Sequence, residues 1–190
     1  HRPGRLESRS QPPRLAEDVL TLDPAAVVLL MGTNDLEEKA HPETIDTNLK
    51  MSQEVYQAAA LHQGTSIVEV LQNCVIFNNG VHEQITDPAF RQERQLMLRH
   101  GEPMLFGEDN RKGLIFEKGK LKVVTIGENG VTLDNILVHD AEDPDPGLHL
   151  ALINMKLPAF PVAFGVIRSV KSPVYDQEME LQIAGVKKNS

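Results

Sequence analysis

The sequence has no tryptophan, two tyrosines and six phenylalanines in 190 residues, so its core must be mainly aliphatic. It has one cysteine, Cys74, which excludes an internal disulfide. A lone thiol fits a reducing, cytoplasmic setting. No apolar run approaches the roughly 18 residues of a membrane helix. Basic charge is also short: 19 Lys and Arg against 27 Asp and Glu give a formal charge of −8. That field argues against binding nucleic acid or an anionic membrane through bulk charge. The first residues, HRPGRLESRSQPPR, lack the apolar stretch of a signal peptide. The chain does not begin with Met, and 1–13 reads as a disordered or truncated start.

What is present is enough for one domain of good size. Leu15, Val19, Leu20 and Leu22 fall at helical spacing before Pro24. AAVVLLM (25–31) is a continuous aliphatic run, the texture of a strand buried on both faces of a parallel sheet. Ile45, Leu49, Val55 and Ala58 to Ala60 predict a helix from Glu43 to about Gln63, closed by Gly64. TSIVEVL (65–71) reads as a second strand. DPAFRQERQLMLRHGEP reads as a charged helix ended by Gly101 and Pro103. MLFG, GLIFEKGKLKVVTIGENG and VTLDNILVHD read as a small β-meander. LHLALINM predicts a short helix. PAFPVAFGVIRSV, punctuated by prolines, reads as an edge strand or a packed extended segment.

Two positions are candidates for chemistry. GTND (Gly32 to Asp35) follows the first strand, where open α/β sheets place ligands. Gly32 would allow close backbone approach, and the Asn34 amide could donate into an oxyanion hole. Equally, Asn34 could simply turn the chain. Cys74 has three readings: a small core residue, a nucleophile, or one ligand of a metal site. All-thiolate ligation within this chain is excluded, because no second cysteine exists. The seven histidines form no metal-binding pattern, and His139 and His149 read as surface or core residues. AEDPDPG reads as a solvated acidic turn, since it lacks the spacing of a calcium loop.

Two stretches resemble known families. LDPAAVVLLMGTND and PETIDTNLK, within 14–50, resemble the middle of an SGNH (GDSL-type) hydrolase. That resemblance makes Asn34 an oxyanion-hole donor and Gly32 part of the same block, with an esterase or lipase activity. No GDS-type serine block accompanies it, and Asp145 and His149 are one residue too far apart for the D-x-x-H block.

The stretch from about 51 to 185 resembles the C-terminal part of the beta subunit of a 2-oxoacid:ferredoxin oxidoreductase, of the 2-oxoglutarate type. The blocks are AAALHQGTSIVEVLQNCVIFNNG, LRHGEPMLFGEDNRKGLIF, ILVHDAEDPDPGLHLALINM and PAFPVAFGVIRSVKSPVYDQ. The resemblance implies oxidative decarboxylation of a 2-oxoacid on thiamin diphosphate with Mg²⁺. It also implies electron transfer through a [4Fe-4S] cluster to ferredoxin and acyl capture on coenzyme A, together with an alpha subunit. It makes Cys74 a cluster ligand, separated from the other three and from the GDGD-type cofactor motif, which this sequence lacks.

The expected fold is α/β, an incomplete thiamin-diphosphate-binding, Rossmann-like parallel sheet with a small β-meander and a C-terminal arm. The expected organisation is a start at 1–13, a hydrolase-like piece at 14–50 and an oxidoreductase piece at 51–190. The join near 44–51 reads as an artefact rather than a natural fusion. The isolated chain is expected to be inactive, or at most a non-catalytic assembly piece.

Overall fold

A computed structural model describes the backbone of 26–31 and 42–48, and both backbone and side chains of 49–74 and 76–188. The helix read at 15–22 lies outside these residues.

The aliphatic run forms β1 (Ala26–Met31), followed by α1 (Pro42–Leu61) and β2 (Ser66–Leu71). Pro42 opens α1, where its missing N–H removes no helical hydrogen bond. Gly64, at φ 128, turns the chain into β2. β1 and β2 pair in parallel, from Ala26 opposite Ser66 to Met31 opposite Leu71. The strand–helix–strand order read over 25–71 is thus the order observed.

The next stretch departs from expectation. The charged helix predicted through 87–103 shrinks to one turn, Arg91–Arg94, and QLML becomes β3 (Gln95–Leu98). Leu96 and Leu98 are buried on one face, and Gln95 is buried beside them. Burial in the sheet outweighs the weak helical preference of this segment. The Gln95 side chain donates to the Ile85 carbonyl, at 2.9 Å.

β4 (Leu105–Phe106), β5 (Lys112–Glu117) and β6 (Lys120–Thr125) form an antiparallel sheet, as the meander reading required. Lys118 (φ 49) and Gly119 (φ 76) close the β5–β6 hairpin in two left-handed residues, which suits the twist of the strands. VTLDNILVHD is not a strand. Leu133–Asn135 is a 3₁₀ turn, with Asn135 Oδ1 accepting from the Thr132 N–H at 2.7 Å. Val138 makes a single bridge to Pro103.

After α2 (Gly147–Ile153) comes β7 (Val162–Ser169). The segment reads from sequence as an edge strand or a packed extended segment, but it is an internal strand: the order is β2-β1-β7-β3. The prolines explain why this is possible. Pro158 and Pro161 both precede Val162, so the strand keeps every ladder donor. β7 runs parallel to β3 and antiparallel to β1, so the sheet is mixed. The class is α/β, an incomplete Rossmann-like arrangement. The main core joins Leu96, Leu98, Met104, Phe106, Leu114, Leu152, Phe164 and Ile167. On α1, Val55 is buried against Val68 and Val166. The chain ends in α3 (Tyr175–Lys188), the C-terminal arm, in which every residue is exposed.

Candidate functional site

β1 and β2 both point their carboxyl ends to one end of the sheet, since Met31 lies opposite Leu71. Cys74 follows Leu71 by three residues, so it emerges at that end. A polar loop holds it. The Cys74 carbonyl accepts from the Asn78 N–H at 2.9 Å. The Asn73 Nδ2 donates to Asn79 Oδ1 at 3.0 Å, and Gly80 N–H donates to Asn73 Oδ1 at 2.9 Å. These bonds tie both ends of the loop together.

The thiol is exposed, which corrects the reading of Cys74 as a small core residue. The polar residues after β2 bend the chain outward before a further buried strand position is reached. The backbone amides of Phe77, then Ile76, lower the thiol pKa, its slight burial raises it, and the Asn78 amide lowers it again, for a net shift downward. Amides gathered around a thiolate are the environment that stabilises a sulfur carrying negative charge, whether on a metal or as a nucleophile. The flanking side chains are apolar and outward: Phe77 is 89% exposed and Ile76 is 80% exposed. His62 Nδ1 lies 3.3 Å from Ser169 Oγ.

One measurement follows directly. Because Cys74 is the only thiol, the pH profile of alkylation by iodoacetamide reports on it alone. The folded chain should titrate below the same chain in denaturant. Equal midpoints would mean that the amides do not act on the sulfur.

Among the described residues, no group of three or more His, Cys, Asp or Glu could hold a metal ion. Among the described residues Cys74 is therefore not part of a complete metal site. The described residues offer no acidic set for Mg²⁺ beside thiamin diphosphate. Gly32 and Asn34 lie outside the described residues.

A second polar group lies at the other end of the sheet. His139 and His149, 0% and 1% exposed, stand edge to face with ring centroids 6.2 Å apart. His139 Nε2 donates to the Val166 carbonyl at 2.8 Å, and His149 Nε2 to the Asp140 carbonyl at 2.8 Å. Arg168 donates from Nη1 to the Asp143 carbonyl (2.8 Å) and to His149 Nδ1 (3.3 Å). Because Arg168 can only donate, His149 Nδ1 is an acceptor and its proton is on Nε2. The acidic segment caps itself: Asp140, Asp143 and Asp145 each accept from the N–H two residues on. So AEDPDPG is an acidic turn, pinned to β7 by buried histidines and an arginine. Arg168 escaped the sequence reading, although an arginine inside the apolar run AFGVIRSV was the available signal.

Beside this group, a cleft of about 340 Å³ lies between α1 and the carboxyl end of β3. Met51, Met97 and Val166 line it, with Glu54, Arg99, His100 and Glu142 around them. Its charged side chains are all exposed, and His100 Nδ1 accepts from the N–H of buried Ala141 at 3.2 Å.

No family model and no solved structure matches the chain. Among curated proteins it is similar to the 2-oxoglutarate oxidoreductase subunit KorB of Mycobacterium tuberculosis. The two are 31% identical over 144 residues, which is 75% of this chain and 38% of that protein. The chain thus spans less than half the length of that relative. The comparisons give the hydrolase-like block no support. Among the described residues, no helix is long and apolar enough to cross a membrane.

Proposed function

We propose that residues 51–190 are the carboxyl-terminal part of a 2-oxoacid:ferredoxin oxidoreductase beta subunit, and that Cys74 supplies one thiolate to its [4Fe-4S] cluster. The observation that carries this reading is the exposed Cys74 at the carboxyl end of β2, in a polar loop whose backbone amides lower the thiol pKa. The similarity to KorB over 75% of the chain supports it. The cluster, when bound, supplies one-electron transfer. Cys74 would contribute a ligand, and the Phe77, Ile76 and Asn78 amides would draw charge from its sulfur and favour the reduced state. The remaining cluster ligands, the thiamin diphosphate and Mg²⁺ ligands, and the choice of 2-oxoacid belong in this reading to another part of the subunit. The alpha subunit, ferredoxin and coenzyme A are its partners, in the cytoplasm.

The test uses the complete subunit that carries this segment, purified anaerobically with its alpha subunit. Cys74→Ser should lower cluster iron. It should also lower 2-oxoglutarate-dependent ferredoxin reduction by roughly a hundredfold or more. Full iron content and an unchanged rate in this variant would overturn the reading.

A further inference from the structure

We propose that α3 is a self-association helix, pairing antiparallel with α3 of a second copy of this chain about a two-fold axis level with the middle of the helix. At about 100° per residue, Tyr175, Met179, Ile183 and Val186 fall within about 80° of one another and form one apolar stripe. All four side chains are exposed, and no residue of α3 is buried. Among the described residues the stripe joins neither core cluster.

Charge selects the occupant. The first turn of α3 carries Asp176 and Glu178, and the last carries Lys187 and Lys188. Relative to the middle of the stripe, Asp176 and Lys187 lie on the same flank, about 65° and about 85° away. A two-fold axis brings each flank against the same flank of the other copy, so residue i meets j while j meets i. Antiparallel pairing thus sets Asp176 of each copy opposite Lys187 of the other, twice. The spacing fits as well. Asp176 to Lys187 and Tyr175 to Val186 each span about 16 Å along the helix, so both pairs close about nearly the same axis. A parallel pair would instead gather both acidic first turns at one end and both pairs of lysines at the other. A contact only about 21 Å long falls below the roughly 1,200 Å² of a permanent interface, so the pairing depends on concentration.

The test is sedimentation of the full chain over a concentration series. The mass should rise from 21.1 kDa toward twice that value. Met179→Lys combined with Ile183→Lys should remain monomeric throughout, with an unchanged unfolding midpoint because α3 contributes nothing to the core. Lys187→Glu should weaken the dimer roughly tenfold. Adding Asp176→Lys to Lys187→Glu should restore it, because the swapped charges again meet across the axis. A chain that stays monomeric, a double-lysine variant that still dimerises, or a charge swap that fails to restore pairing would each overturn the proposal. So would capture of the stripe by an alpha subunit with no self-association.

Discussion

Gly165→Ala is expected to destabilise the protein by about 3 kcal/mol or more, lowering the unfolding midpoint by roughly 6–12 °C. Gly165 sits in β7 at φ 102, a left-handed backbone that side chains disfavour. It lies opposite Leu98 of β3 and Leu29 of β1, at the point where the three strands meet. A Cβ built there would stand 2.5 Å from the Leu98 carbonyl oxygen. That oxygen is backbone, so relief requires the strands to part. Gly127→Ala is the control. Gly127 has φ 88 but nothing within 4 Å of a Cβ, so it should lose only the backbone term, about 1 kcal/mol. Equal losses at the two sites would show that strand approach is not what Gly165 provides. The measurement is chemical denaturation of both variants beside the parent chain.

The same glycine shows how far the sequence could be read. AVVLLM and SIVEVL are strands in isolation because their aliphatic, β-branched runs have little alternative. The α1 helix follows from its periodicity, and the β5–β6 hairpin from KG between two such runs. Burial decided the rest. QLML follows a charged, helix-like stretch, and only the neighbouring β7 makes it a strand. PAFPVAFGVIRSV looked peripheral because prolines end ladders, yet both prolines stop short of Val162. The gap in the reading of VTLDNILVHD is of the same kind, since its Thr132–Asn135 turn is a local capping arrangement that alternation does not reveal.

The candidate site was legible in a different way. Its single thiol, followed by the polar NN and Gly of FNNG, marks a turn at a strand end in the sequence alone. What no pattern could supply was the effect of the Phe77 and Ile76 amides on the thiol, which depends on how the loop closes between Asn73 and Gly80. The buried group was missed for the opposite reason. His139, His149 and Arg168 are far apart in sequence, and only the packing of α2 and the acidic turn on β7 brings them together.

That group gives the protein an acid-labile side. His139 is fully buried, its Nε2 proton is committed to Val166, and its Nδ1 atom has no hydrogen-bond partner among the described residues. Burial lowers its pKa first. The bond to Val166 works against this, His149 and His100 lower it further, and Asp140 raises it. In the unfolded chain the imidazole returns to about 6.5, so the unfolded state takes up the proton first as pH falls. Stability should therefore be level above pH about 6.5 and should decline as pH falls from there through the lower folded value. His62, also lowered by burial, adds a loss of the same sign. Glu69, raised by burial, acts in the opposite sense. His139→Gln keeps a donor for Val166 and cannot become charged. Its denaturation midpoints, followed from pH 7.5 to 5.5, should fall less steeply than those of the parent, while His62→Gln removes only its own share. If His139→Gln leaves the acid slope unchanged, the buried imidazole is not the origin of the loss. A flattened slope would instead place the weak point of the fold where the acidic turn is pinned to β7, through the Arg168 bond to Asp143 and the His149 bond to Asp140.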